Sequence, residues 1–287
     1  MKLVSFGKAG AERAGVMSGG SIIDIKAADN ALPDNIRDIL EKDMLGEVRK
    51  LLDAAGSGSI PPGVARRANG TRLGPPVTNP TKIICLGLNY IDHAREQGKE
   101  VPDWPLLFAK APSCLIGDKD PIPTPPGVAQ MDHEVELAFV IGKKTRNVAQ
   151  KDALSCIAGY GIFMDISARD VQFREKQWFR GKSFDGFGPF GPCMTTSDEI
   201  ADPHNLPISL KVNGKTMQDS NTGLMRFKVD YLVHYLSQCM TLIPGDIVAT
   251  GTPSGVGVFA SPQRFLQKGD VLEARIQSLG SLTNPVS

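Results

Sequence analysis

Apolar and polar residues alternate in short bursts along most of the chain, and only a few stretches carry the three-to-four-residue spacing of a helix. From residue 80 onward the runs KIICLGL, VELAFVIG, IAGYGIFMDI, ISLKVNG, DIVATG and DVLEARIQ are short, rich in β-formers and bounded by Gly, Pro or Asp, which predicts strands. Within LKVNGKTMQ, Asn213-Gly214 separates two such runs and predicts a tight hairpin. Helical spacing appears in YIDHAREQG, KDALSCI and FKVDYLVHYLSQCM, the last with Val229, Leu232, Val233 and Leu236 on one face. This mixture, without regular β-α-β alternation, predicts an antiparallel-rich α+β domain.

The first 75 residues read as a small unit of their own. MKLVSF and SIIDI predict short strands, the first followed by a glycine-bearing turn. In IRDILEKDMLGEVRKLLDAA, the residues Ile36, Ile39, Leu40, Leu45, Val48, Leu51 and Leu52 have the spacing of one or two amphipathic helices, with Asp34 as N-cap and Gly56 as stop. The Gly- and Pro-rich stretch GSGSIPPGVARRANGTRLGPPVTNPT predicts a linker or an irregular surface connection. The expected organisation is a small N-terminal α/β domain with linker over residues 1–75 and a larger domain over 76–287.

Composition narrows the classes open to such a chain. With 287 residues, it can bury roughly three quarters of its unfolded surface without disulfide or structural metal. A net charge of +1, with Lys and Arg spread along the chain, argues against nucleic acid or an anionic membrane as partner. No apolar run approaches the roughly 20 residues of a membrane span, and MKLVSFGKAGAERAG lacks a signal peptide's apolar core. Cys85, Cys114, Cys156, Cys193 and Cys239 are odd in number, widely spaced and without a C-x-x-C pair, so neither a zinc site nor a disulfide framework is expected, and a cytoplasmic location fits.

Candidate chemistry lies in DHEVELAFVIG. Glu134 and Glu136 are two apart in a strand-like run, so both carboxylates share one face, roughly 7 Å apart, while Val135 and Leu137 turn to the other. Like charges so placed repel unless a cation lies between them or one is protonated. Asp165 ends the run IAGYGIFMD, where the chain leaves a sheet. Three oxygen donors suit Mg²⁺, Mn²⁺ or Ca²⁺. Spacing alone equally allows a solvated strand face and a helix cap. His133, on the opposite strand face, is read as structural.

Five ordered motifs resemble the fumarylacetoacetate hydrolase superfamily, from about Lys82 to Ala274: GLNYIDHARE, MDHEVELAFVIG, MDISARDVQ, RGKSFDGFGPFGP and GDIVATGTPSGVG. The resemblance implies that Glu134, Glu136 and Asp165 are metal ligands, that Lys182 is an active-site lysine, and that Arg169, Gln172 and Thr252 contact the bound acid. It implies further that His93 and Glu96 form a dyad on a short lid helix; their i, i+3 spacing lets the carboxylate orient the imidazole. The run LFAKAPS departs from the family in separating Lys110 from Pro112, which bears on the pocket wall and not on the metal site.

The implied fold is a mixed β-sandwich roll, usually a homodimer, acting on small keto acids with Mg²⁺ or Mn²⁺. The leading expectation is hydrolysis of a 3-acylpyruvate, such as fumarylpyruvate, maleylpyruvate or a diketo-deoxy sugar acid, to pyruvate and a carboxylic acid. His93 and Glu96 would activate water, and Lys182, with a depressed pKa, would stabilise the oxyanion or protonate the enolate. The alternatives are oxaloacetate decarboxylation or hydroxymuconate-type isomerisation, which need no attacking water, and a noncatalytic metal-binding protein. Selectivity is expected from GKEVPDWPLLF and from residues near Trp178 and Phe179. Arg95, Arg174 and Arg180 are candidates for a distal carboxylate, with none assigned.

Overall fold

Strand Val135–Ile141 is buried at all seven positions, which a strand tolerates only when both faces are covered and both edges paired. In this computed structural model, which describes residues 1–59, 61 and 63–287, it lies inside a twelve-stranded mixed sheet. Its antiparallel neighbours are Ile157–Met164 and Ile247–Ala249; the latter pairs in parallel with Ile83–Gly87, followed by edge strand Leu106–Lys110. A second, four-stranded antiparallel sheet is built from Lys215–Asn221, Pro207–Val212, Val271–Ile276 and Gly280–Pro285. The first two are joined through Asn213 and Gly214, whose φ values of 52° and 77° are those the dipeptide was expected to supply. The architecture is sheet-dominated α+β.

Helix Val229–Cys239 buries Val229, Leu232, Val233 and Leu236, the face its spacing predicts. KDALSCI forms a 3₁₀ segment, Gln150–Cys156, instead of an α-helix. Two helices, Ile36–Glu41 and Leu45–Gly56, occupy the N-terminal amphipathic stretch. The first is capped by Asn35, whose side chain accepts from the Asp38 amide, rather than by Asp34.

Several strands escaped the sequence pattern, among them Arg13–Ser18, Leu106–Lys110, Gly188–Thr196 and Gly280–Pro285. Arg13–Ser18 pairs with both Lys2–Phe6 and Ser21–Asp24. Gly188–Thr196 lies between Lys2–Phe6 and Ile157–Met164 despite Pro189 and Pro192, with a register irregularity opposite, between Tyr160 and Ile162. The Gly- and Pro-rich connection carries short strands Ala65–Arg67 and Leu73–Gly74; its Ile60 and Pro62 lie outside the described residues. Residues 1–75 continue the large sheet, and Leu3, Ile23 and Ile39 join the same buried core as Val135 and Phe163. Among the described residues no helix is long and apolar enough to cross a membrane.

Candidate active site

The alternation of VELAFVI turns Val135 and Leu137 into the core and leaves Glu134 and Glu136 on the other side, facing the end of strand Ile157–Met164, where Asp165 follows. Glu134, Glu136 and Asp165 converge, each buried and offering an oxygen within 4.8 Å of the others'. Three cations surround them. Lys182, from the short helix Phe179–Lys182, places its Nζ 2.7 Å from Glu134 Oε2 and 2.7 Å from Asp165 Oδ2. Arg169 donates to Glu134 Oε1 at 2.6 Å and to Asp132 Oδ2 at 2.9 Å. Lys110 Nζ reaches Asp165 Oδ1 at 2.6 Å and the Ile166 carbonyl at 3.3 Å.

The charges are unequal. Asp132, Glu134, Glu136 and Asp165 face Lys110, Arg169 and Lys182, all buried, so ionisation of every acid leaves the cluster one positive charge short. Glu136 shows where the deficit falls: burial, then Asp165 and Glu134, push its carboxyl well above the usual range. Its hydrogen bond from the Gly251 amide, 2.8 Å, only partly offsets this. Burial also opposes ionisation of Glu134, but Lys182 and Arg169 outweigh it and hold that carboxyl well below its ordinary value. Oxygen-only donors, close convergence and a shortfall of positive charge fit a hard divalent cation. Lys182 departs from expectation: burial lowers its pKa, yet Asp165 and Glu134 prevail and raise it, so the expected depression is not found.

His93 and Glu96 sit on helix Ile91–Glu96, and His93 lines the same pocket as Glu134, Arg169, Gln172, Lys182 and Thr252. His93 Nδ1 lies 2.9 Å from Glu96 Oε2, while Glu96 Oε1 accepts from the Gly255 amide at 2.8 Å. An ionised carboxylate only accepts, so Nδ1 carries the proton. His93 Nε2 lies 2.9 Å from the side-chain nitrogen of Gln97, a donor, so Nε2 presents its lone pair. That lone pair is held by the Gln97 amide, which must give way before the ring can act on a bound acid.

The expected acid-binding residues are engaged within the protein. Arg169 Nη1 donates to Gln172 Oε1 at 3.0 Å, joining the two on one helical face. The Thr252 hydroxyl donates to the Val135 carbonyl at 2.9 Å and accepts from Gln218 at 2.7 Å, so its proton is committed to the backbone. His133 stays out of the triad, its Nε2 3.2 Å from the Gly255 carbonyl. Trp178 and Phe108, edge to face at 5.3 Å, form the apolar wall, whereas Phe179 and Trp104 are exposed and do not line the pocket. Arg174 and Arg180 pair with Glu175 at the surface, and Arg95 is exposed. Sequence reasoning missed Asp132 and Gln97 and did not single out Lys99 within GKEVPDWPLLF; it placed Lys110 at the pocket wall, apart from the metal site, whereas Lys110 pairs with Asp165 of the triad and does not line the pocket.

Sheet, convergent buried carboxylates and flanking cations define a centre suited to cation-assisted chemistry on a small anionic molecule. The family model for the C-terminal region of fumarylacetoacetate (FAA) hydrolase matches residues 82–287, and the chain belongs to this family. It is 45% identical over 275 residues to the mitochondrial oxaloacetate tautomerase of Xenopus laevis, covering 94% of this chain and 84% of that one. The fumarylacetoacetate hydrolase structure from Exiguobacterium antarcticum superposes with a TM-score of 0.85 at 36% identity, covering 100% and 99% of the two chains. Maleylpyruvate hydrolase from Sphingobium sp. SYK-6, solved with manganese(II) and pyruvate, gives a TM-score of 0.80 at 33% identity, covering 100% and 98%.

Proposed function

We propose that the chain interconverts the keto and enol forms of oxaloacetate, or of a closely similar 2-keto dicarboxylate, with a divalent cation at the Glu134–Glu136–Asp165 cluster. The observation that carries this reading is the 45% identity, across 94% of the chain, to a relative named oxaloacetate tautomerase. It takes precedence over the expected acylpyruvate hydrolysis; with the alternative of oxaloacetate decarboxylation it shares the substrate and an enolate formed without attacking water, but not the loss of carbon dioxide.

A divalent cation bound here supplies Lewis acidity, which drains charge from a chelating 2-keto acid and acidifies its C3 hydrogens. The protein's own groups then move protons. With the Gln97 amide turned aside, His93 Nε2 accepts the proton leaving C3, and Glu96 on Nδ1 stabilises the imidazolium that results. The Lys182 ammonium donates toward the C2 oxygen as negative charge gathers there. One proton leaves C3 and one arrives at the C2 oxygen, so no water is consumed and no C–C bond breaks. Phe108 and Trp178 keep that wall of the pocket apolar, which strengthens both interactions.

The 33% identity to maleylpyruvate hydrolase supports a second reading, in which the same dyad activates water toward a C4 carbonyl. Following the ultraviolet absorbance of enol-oxaloacetate with Mg²⁺ or Mn²⁺ separates the two. The proposal expects accelerated keto–enol interconversion, reduced about 10²–10⁴-fold in His93→Ala while Mn²⁺ binding stays close to that of the parent. Pyruvate release from acylpyruvates with no effect on oxaloacetate would overturn it in favour of hydrolysis.

A further inference from the structure

Three cationic side chains line the pocket: Lys99, Arg169 and Lys182. Arg169 is spent on Asp132 and Glu134, and Lys182 on Glu134 and Asp165. Lys99 differs. Its Nζ contacts the uncharged Gln97 Oε1 at 3.1 Å, and among the described residues no carboxylate lies within ion-pair distance of it. A lysine on a surface loop is ordinarily a solvated charge, but the backbone fixes where this one stands. Helix Ile91–Glu96 ends in a Schellman turn, with the Gly98 amide donating to the Arg95 carbonyl at 3.0 Å and the Lys99 amide to the Ala94 carbonyl at 2.9 Å. The turn needs the positive φ of Gly98, 63°, and sets Lys99 three residues past the helix that carries His93.

The amide of Gln97 ties this charge to the chemistry. Lysine only donates, so Gln97 turns its oxygen to Lys99 and its NH₂ to His93 Nε2. Lys99, Gln97, His93 and Glu96 therefore form one hydrogen-bonded row along the pocket. The Glu134–Glu136–Asp165 cluster and Lys182 receive one end of a 2-keto acid; the Lys99 ammonium, solvent-exposed and without a carboxylate partner among the described residues, lines the same cavity.

We propose that Lys99, aimed by the Gly98 turn, is the receptor for a second, distal carboxylate, and that it makes the site selective for 2-keto and 2-hydroxy dicarboxylates over monocarboxylates. The inference rests on the reading of the pocket as a keto-acid site, and it adds the residue that recognises the substrate's far end. The three arginines considered from the sequence do not line the pocket, whereas Lys99 does.

Calorimetric titration of the Mn²⁺-loaded protein with malate and with lactate tests it, because these 2-hydroxy acids differ in the distal carboxylate. The parent should prefer malate by about tenfold or more, the scale of one charge-assisted hydrogen bond. Lys99→Met should bring the two affinities to within about twofold by weakening malate alone, and Lys99→Arg should retain the preference. Absence of a preference in the parent, its survival in Lys99→Met, or equal weakening of both acids overturns the proposal. A Lys99-dependent malate preference in a protein that does not tautomerise oxaloacetate would sink the proposed activity and leave this site standing. Oxaloacetate turnover without that preference would do the reverse.

Discussion

Lys110 closes strand Leu106–Lys110 with its ammonium against Asp165 and the Ile166 carbonyl, fully buried. Removing one partner of a buried pair leaves the other charged and desolvated, a loss of about 3–5 kcal/mol. Here the orphan would be Asp165, which Lys182 also contacts and a divalent cation would neutralise. Lys110→Met should therefore destabilise the chelator-treated protein much more than the Mn²⁺-saturated one. Thermal unfolding of both variants, with and without EDTA, checks this; equal losses in the two conditions would assign Lys110 a role unrelated to the cation. The residue also marks a limit of sequence reading. Spacings of two and three let a strand or helix bring Glu134 and Glu136, or His93 and Glu96, onto one face, although their roles were read from the family resemblance and not from spacing alone. Lys110 meets Asp165 across 55 positions, and the run LFAKAPS, read as pocket wall, gives no hint that its lysine reaches the carboxylate triad. Gln97 was hidden for a related reason, since a polar EQGK after a helix looks like any solvated turn, and Lys99 was not singled out within the stretch GKEVPDWPLLF expected to set selectivity.

Between residue and fold stands helix Val229–Cys239, whose N-terminal residue Lys228 makes no side-chain capping bond. His204, 25 positions away, supplies the acceptor: the Val229 amide donates to its Nε2 at 3.2 Å. Only a neutral imidazole can accept there. Burial lowers the pKa of His204 below its ordinary 6.5, with Asp230 and Asp202 opposing. Since the unfolded chain binds the proton more readily, this contribution is complete above pH 6.5 and is lost as pH falls from there toward the lower folded value. Removing a cap costs about 1 kcal/mol. Urea unfolding at pH 8 and pH 5.5 should show His204→Ala destabilising by that order at pH 8 and by distinctly less at pH 5.5. A pH-independent difference would mean that the ring acts through packing and not as an acceptor. At this scale the apolar face of the helix was legible from its spacing, as was the Asn213-Gly214 hairpin. Strand Gly188–Thr196 was not, because its two prolines contradict strand propensity; Pro192 falls at the register irregularity and Pro189 stands opposite Ile116 of a two-residue strand, Leu115–Ile116.

For the molecule as a whole, the question is whether residues 1–75 unfold apart from the rest. A composition shift at GSGSIPP made a boundary reasonable, and the family match begins only at residue 82. Yet Leu3, wholly buried, stands opposite Val16 on one side and Met194 on the other, and its strand extends the sheet that carries Glu136. Arg72 reaches forward to Asp120 in a two-pronged bond of 2.8 and 2.6 Å, and Arg49 pairs with Asp198. Such surface-accessible pairs contribute little individually; the shared apolar core is the stronger coupling. Truncating Leu3 to alanine removes buried methyl groups and should destabilise by about 2–5 kcal/mol. If the core is cooperative, that loss lowers a single calorimetric transition, and the stabilisation conferred by Mn²⁺ at the distant carboxylates adds to the same transition. Two transitions, with Leu3→Ala moving one and Mn²⁺ only the other, would restore the autonomous N-terminal domain. A single transition shifted by both perturbations would make the N-terminal strands part of the framework that holds the carboxylates in place.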